Sequence, residues 1–217
     1  MGQETQTDTT LKIFRRILKL MGNRFEISVV LPCEKEIFAA TCIDAAITEI
    51  QRIERLLTTF DNNSQTNFIN ELAGIAPVKV DREVFDLIER SLRISAITQG
   101  AFDISYGSID KRLWNFDKTM TSLPDKETAK QMVSLINYRN IILDKEQCTV
   151  FLKEKGMRIG FGGIGKGYAA EKAKATLQQL GVENGIVNAA GDLVTWGYQP
   201  NGMPWTIGIA SPDATHP

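Results

Sequence analysis

Eight consecutive residues, Gly160 to Gly167, constrain this chain more than any other segment. They read Gly-Phe-Gly-Gly-Ile-Gly-Lys-Gly, so five are glycine and one is a cation, and an alanine-rich run that favours helix follows from Tyr168. Glycine lets a backbone reach positive φ and approach a ligand closely, and a helix N-terminus presents free N–H groups. Together with Lys166, the segment predicts a binding site for a phosphorylated small molecule.

Two known glycine patterns overlap in this segment. Gly160, Gly162 and Gly165 satisfy G-x-G-x-x-G, whereas the P-loop pattern fails at Gly167, where it needs a hydroxyl for Mg²⁺. Both patterns require a parallel βαβ context. The short strand-like runs 141–143, 149–152 and 157–159 are separated by turn residues, which indicates an antiparallel meander instead. A glycine-rich turn that starts a helix without binding a ligand is the alternative.

Composition excludes several classes of protein. The chain has 217 residues, of which 43% are hydrophobic and 24% charged, and its net charge is −1. This balance gives no broad nucleic-acid surface. No apolar run approaches the roughly 18 residues of a membrane span. Residues 11–20 are basic and apolar without the features of a signal peptide, so we expect an edge strand or short helix there and a cytoplasmic location for the chain as given.

Cysteine and histidine usage restricts the chemistry further. Cys33, Cys42 and Cys148 have no regular spacing, so they predict neither a disulfide framework nor a zinc motif. The single histidine, His216, lies one residue from the end, which argues against a nucleophile activated by a core histidine. A metal ion would therefore be held by oxygen atoms, which points to Mg²⁺ or Ca²⁺.

Hydrophobic periodicity predicts helices and antiparallel strands in irregular alternation, and hence the α+β class with a mostly antiparallel sheet and packed helices. An apolar stripe from Ile43 to Leu57 predicts a helix, and Asp81 is a predicted N-cap of the next helix. The remaining predicted extended segments are 25–31, 77–80, 101–105, 185–190 and 205–209.

Several separated motifs resemble, in order and spacing, the family of FAD:protein FMN transferases (the ApbE family). They are Met21-Gly22-Asn23-Arg24-Phe25-Glu26-Ile27, the Thr58–Asn70 loop, Gly100-Ala101-Phe102-Asp103, the Gly160–Gly167 loop with Tyr168, and Asn188-Ala189-Ala190-Gly191-Asp192 with Trp205. The resemblance divides the chain into a polar and basic lead segment, residues 1–20, and a flavin-transferase-like domain, residues 21–217.

The resemblance implies an enzyme that binds FAD and Mg²⁺ and transfers FMN to a threonine or serine hydroxyl of an acceptor flavoprotein. Neither nucleic acid nor a transmembrane segment is expected. A non-catalytic FAD-binding protein and a Mg²⁺-dependent FAD pyrophosphatase are the alternatives. The implied FAD contacts are Met21, Phe60, Ala101, Phe102, Asp103, Gly160 and Lys166, and the backbone of Gly163 is an implied metal ligand.

Two departures from the family pattern modify these expectations. Gly160 stands where the family usually has an acidic residue. The family pattern also continues after the position of Pro217 with a histidine-containing segment and an Asp-Ala-x-x-x-Thr-like segment that completes the metal site. We therefore expect residues 1–217 alone to transfer FMN poorly. The resemblance also implies a periplasmic or membrane-anchored location for many members of the family.

Overall fold

The computed structural model describes residues 10–109 and 125–208. The chain divides into two compact units, residues 1–51 with 166–217 and residues 52–165. Among the described residues, no helix is long and apolar enough to cross a membrane.

In the first unit, the described residues form a four-stranded antiparallel sheet. The strands are β1 (Leu11–Leu20), β2 (Asn23–Pro32), β6 (Gly185–Ala189) and β7 (Asp192–Trp196). Strand β2 pairs with β1 on one side and with β6 on the other, where Phe25 lies opposite Ala189. Strand β7 pairs with β6, so the spatial order is β1-β2-β6-β7.

Two long helices accompany this sheet. Helix α1 spans Glu36–Leu57 and passes the boundary between the units at Gln51, while α5 spans Gly165–Gln179. Helix α5 buries Ala169, Ala173 and Leu177, which follow one another at four-residue spacing and so lie on one face. The predicted apolar stripe of α1 is confirmed by the full burial of Ile50 and Ile53.

The described residues of the second unit form a smaller antiparallel sheet and several helices. Its strands are β3 (Val78–Lys79), β4 (Ile141–Asp144) and β5 (Thr149–Leu152). Their spatial order is β3-β5-β4, and Val150 of the central strand lies opposite Val78 on one side and Leu143 on the other. The helices wholly within the unit are α2 (Gln65–Glu71), α3 (Arg82–Ile97) and α4 (Lys126–Val133).

The α+β class is confirmed, since helices accompany sheets in which every described strand pair is antiparallel. The parallel context that a P-loop needs does not occur among these pairs. The basic, apolar segment 11–20 is the edge strand β1.

Segment 157–159 is not the strand that its sequence predicts. The N–H of Ile159 donates to Oδ1 of Asn70 over 2.7 Å, and Nδ2 of Asn70 donates to the Ile159 carbonyl over 3.1 Å. A buried amide therefore takes the place of a neighbouring strand, because it satisfies both backbone groups of Ile159.

Two further extended predictions were wrong. Residues 104–108 form a short 3₁₀ helix, because Asp103 caps it by accepting a hydrogen bond from the N–H of Ser105. Residues 205–208 are irregular, and an isolated bridge pairs Tyr198 with Pro204 just before them. A strand requires a hydrogen-bonded neighbour, which an alternating sequence does not supply by itself. Ile209 lies outside the described residues.

Candidate flavin-nucleotide site

The Gly160–Gly167 loop ends in the first turn of α5. The N–H groups of Ile164 and Gly165 both donate to the carbonyl of Phe161, over 3.1 and 2.6 Å. None of the five glycines has a positive φ, so the left-handed backbone expected of this loop is absent. A Cβ built at Gly162 would have no neighbouring atom within 4 Å. Glycine at 162 is therefore required neither by φ nor by packing, and its backbone is open to a ligand.

The segment Ala101–Asp103 lies beside this loop within the second unit. The N–H of Gly160 donates to the carbonyl of Ile104 over 2.9 Å. A Cβ at Gly163 would lie 3.3 Å from the ring of Phe102, so the two residues are already in close contact. The structure thus brings Phe102, Gly160 and Gly163, three predicted site residues, into one neighbourhood.

Asp103 stabilises the backbone in this neighbourhood by accepting hydrogen bonds. Its Oδ1 accepts hydrogen bonds from the N–H of Ser105 over 2.8 Å and from the Ser105 hydroxyl over 2.6 Å. Its Oδ2 accepts a hydrogen bond from the N–H of Tyr138 over 2.8 Å. These bonds fix the backbone that presents Ala101 and Phe102.

Phe60 lies on an anchored polar loop. Phe60 is 87% exposed. Buried Asn67 donates from Nδ2 to the carbonyls of Thr59 and Asp61, over 3.2 and 2.6 Å. Because the flanking backbone is tied to α2, the aromatic ring is presented to solvent from a fixed loop, which suits stacking on a planar ligand.

Met21 belongs to a tight turn in the first unit. Met21 and Gly22 connect β1 to β2 with φ values of 49° and 74°. Ala190 and Gly191 connect β6 to β7 in the same way, with φ values of 54° and 102°. Positive φ at both central residues defines the type I′ hairpin turn, which normally begins with Asn, Asp or Gly. Since β2 begins where its neighbour β6 ends, the two turns lie at the same end of the strands.

Lys166 is the second residue of α5 and pairs with Asp192, the first residue of β7. The Lys166 Nζ lies 3.3 Å from Asp192 Oδ2, with side chains 24% and 45% exposed. A cation in the first turn of a helix opposes the helix dipole. The helix dipole therefore disfavours a lysine at this position. Through Asp192, Lys166 lies at the same end of the strands as Met21.

A profile of the ApbE family matches residues 21–217. The chain belongs to the ApbE family. The FAD:protein FMN transferase of Klebsiella pneumoniae (strain 342) is 36% identical to it over 165 residues, which are 76% of this chain and 50% of that relative. The transferase of Treponema pallidum (strain Nichols) is 28% identical over 193 residues, covering 83% and 52% of the two chains. The chain thus spans about half the length of these curated relatives.

Solved ApbE structures have the same fold. The ApbE protein of Thermotoga maritima superposes with a TM-score of 0.82 at 26% identity, covering 94% of this chain and 65% of that one. The flavin transferase ApbE of Vibrio cholerae superposes with a TM-score of 0.81 at 19% identity, covering 93% and 65%. The second likeness concerns the fold alone.

The described residues do not form a complete metal site. Within residues 10–109 and 125–208, no three side chains of His, Cys, Asp or Glu lie close enough together to hold a metal ion. The predicted ligand Gly163 could offer only a neutral backbone carbonyl, whereas Mg²⁺ is usually anchored by at least one carboxylate together with substrate phosphates. These donors do not by themselves fit a Mg²⁺ site.

Two shifted pKa values in this ApbE chain have structural causes. Burial raises the pKa of the Cys42 thiol. Hydrogen bonds from the backbone and side chain of Thr128 lower the pKa of the Asp125 carboxyl, which caps the start of α4. Neither group is a predicted site residue.

Sequence reasoning assigned no structural role to the residues that hold the predicted site residues in place, although Asn70 belongs to one of the motifs. Asn67 and Asn70 anchor the loop of Phe60 and the segment before Gly160, and both are buried. Their signal is a pair of amides on adjacent turns of a short helix, a spacing that also fits a solvent-exposed helix face. The two type I′ turns had a clearer signal. In each, a two-residue connection that ends in glycine, Met21-Gly22 or Ala190-Gly191, joins two segments with a strand-like pattern.

Proposed function

We propose that this chain is the flavin-nucleotide-binding part of an FAD:protein FMN transferase. Its family and the names of its relatives support the proposal. The observation that carries it is the start of α5, where Lys166 lies in a helix turn that disfavours a cation and follows an open glycine backbone. Phosphate is the ligand that such an N-terminus and a lysine accommodate together.

The reaction is a transfer of the FMN phosphoryl group. The hydroxyl oxygen of a threonine or serine of the acceptor forms a bond to the FMN phosphorus, and the bond from that phosphorus to the bridging oxygen of the pyrophosphate breaks. The products are an FMN phosphoester on the acceptor, AMP and one proton. Positioning and charge stabilisation dominate catalysis of such transfers.

Each predicted residue has a distinct part in FAD binding under this proposal. Lys166 contacts the pyrophosphate, and the open backbone at Gly160 and Gly162 lets the phosphates approach. Phe60 stacks on one of the ring systems of FAD, as its exposed ring allows. The remaining contacts come from Met21 and the segment Ala101-Phe102-Asp103.

Mg²⁺ enters the proposal as an ion that accompanies the FAD phosphates, with the Gly163 carbonyl as one ligand. Such an ion would neutralise charge that develops on the phosphates during transfer. The described donors do not complete a site for this ion. Titrations with and without Mg²⁺ measure its contribution directly.

The binding test is a titration with FAD, FMN, ATP and NAD, followed by flavin fluorescence or calorimetry. We expect FAD to bind most tightly. Lys166→Ala should weaken FAD binding about 10- to 100-fold, because a charge-assisted contact to phosphate is lost. The matched control is Lys174→Ala, which removes a second lysine from the same helix and should leave affinity unchanged.

Three outcomes would redirect the proposal. ATP binding as tight as FAD binding would favour a nucleotide hydrolase. If Lys166→Ala binds FAD like the parent, then Lys166 belongs to the solvated surface. Release of FMN and AMP would indicate a pyrophosphatase. Poor covalent labelling of a threonine-bearing acceptor, read as flavin fluorescence on a denaturing gel, is the result we expect, because the described donors do not complete a metal site.

A further inference from the structure

We propose that Asp192 is a positioning residue that holds the Lys166 ammonium over the first turn of α5, ready for the FAD phosphates. This inference rests on the proposed function, because it assigns a partner to the lysine that contacts phosphate. Asp192 would act through Lys166 and would not touch the reacting atoms.

The contact geometry places the Asp192 carboxylate against the helix turn. Besides the 3.3 Å approach to Lys166 Nζ, a Cβ at Gly167 would lie 3.8 Å from Asp192 Cγ and 3.9 Å from its Cβ. The side chain of Asp192 therefore lies in the direction in which a side chain at position 167 would point. A Cβ at 167 would be in ordinary van der Waals contact with the Asp192 side chain, so this side chain packs directly against the start of α5.

The turn before Asp192 fixes the position of the backbone that carries this side chain. Asp192 lies opposite Ala189 in the pair that closes the β6–β7 hairpin. The Asn188 Oδ1 accepts a hydrogen bond from the N–H of Gly191 over 3.1 Å. Ala190 takes a φ of 54°, which is unfavourable for a residue with a Cβ. Strained backbone of this kind persists where the surrounding structure determines it, and it concentrates at functional sites.

A lysine needs such a partner to be ready for an anion. Its four-carbon stem has many rotamers, and an ammonium without a nearby carboxylate distributes over them in water. Contact with Asp192 limits this distribution before FAD arrives, so less freedom is lost on binding. The carboxylate would also repel the phosphates. That repulsion is weak, because Asp192 is nearly half exposed and water screens its charge.

Asp192 could instead serve only the stability of α5, since an acidic group near a helix N-terminus is favourable in itself. A double-mutant cycle separates the two roles. The variants are Asp192→Ala, Lys166→Ala and the pair, each titrated with FAD, with thermal unfolding as the measure of folding. Glu171→Ala is the matched control, because it removes an exposed carboxylate from the same helix.

We expect Asp192→Ala to weaken FAD binding about fivefold in the parent, the size of a well-formed exposed ion pair, and to have no effect when Lys166 is already alanine. Asp192→Glu should recover part of the affinity, and Glu171→Ala should leave it unchanged. A stabilising role alone would lower the unfolding temperature equally in both backgrounds and leave affinity unaltered.

FAD binding to Asp192→Ala that equals or exceeds binding to the parent would overturn this inference and leave the proposed function intact. An equal loss of affinity with and without Lys166 would also overturn it, because Asp192 would then act by another route. A parent chain that binds no FAD would overturn the proposed function and this inference together.

Discussion

Gly162 and Gly185 look alike in the sequence, but the structure makes them opposites. Neither has a positive φ, so both backbones are compatible with a side chain. A Cβ at Gly185 would lie 2.5 Å from the Trp196 ring and 2.8 Å from the Ser28 carbonyl oxygen, whereas a Cβ at Gly162 would meet nothing within 4 Å. Packing inside the sheet therefore requires glycine at 185, whereas glycine at 162 leaves open space that the protein itself does not fill.

This difference shows how a glycine-rich motif should be interpreted. A glycine that neither φ nor packing requires is a candidate for contact with something outside the chain. Gly162 meets that criterion, and Gly185 does not. Substitution by alanine therefore separates the two cases, since it adds one methyl group and little else.

Gly185→Ala should have the largest effect. The new methyl group would overlap Trp196, whose indole N–H donates to the Val182 carbonyl over 2.9 Å and resists displacement. Overpacking of this kind, together with a strained hydrogen bond, should lower the free energy of unfolding by about 3 kcal/mol. Urea denaturation followed by tryptophan fluorescence measures the change. A loss below about 1 kcal/mol would mean that the sheet adjusts easily and that the contrast with Gly162 is weak.

The structural roles of these two glycines could be predicted from the sequence only in part. The alternation around Gly185 predicted a strand, and the strand is present, but nothing in it indicated that Trp196 packs on the glycine. The glycine loop was predicted as a ligand site, although for one wrong reason, since its glycines are not left-handed. Close approach between distant residues is a property of tertiary packing, which local periodicity does not encode.

Hydrogen bonds from side chains explain the other differences between sequence and structure. Helices and strands with clear periodicity, such as α1 and β2, were predicted. Segment 157–159 was wrongly predicted as a strand, because Asn70 satisfies the backbone groups of Ile159 in place of a strand partner. Helix α2 was not predicted, and Ser64 caps it by accepting a hydrogen bond from the N–H of Asn67. Such contacts give polar residues a structural role that a pattern assigns to solvent.

Gly162→Ala should have a smaller effect, and on binding instead of folding. Its stability should stay within about 0.5 kcal/mol of the parent or rise slightly, because the backbone tolerates alanine and the unfolded chain loses freedom. FAD affinity should fall about tenfold as the methyl group blocks approach to the backbone. Calorimetric titration and urea denaturation of the same sample test both statements. Unchanged affinity would place Gly162 outside the ligand contact, and lost stability would place it with Gly185.

Ala190→Asn should have the smallest effect. It tests the converse of Gly162, a position where the backbone favours glycine or asparagine but the sequence has alanine. Ala190 has the left-handed φ that the glycine loop lacks, yet it carries a side chain. Asparagine suits the first central position of a type I′ turn, so the variant should gain about 0.5 kcal/mol of stability. Met21→Asn makes the matched change in the β1–β2 turn and should gain about as much. Only Met21→Asn should also weaken FAD binding, since Met21 is a predicted contact. Equal FAD affinity for Met21→Asn and the parent would show that Met21 serves the turn and not the ligand.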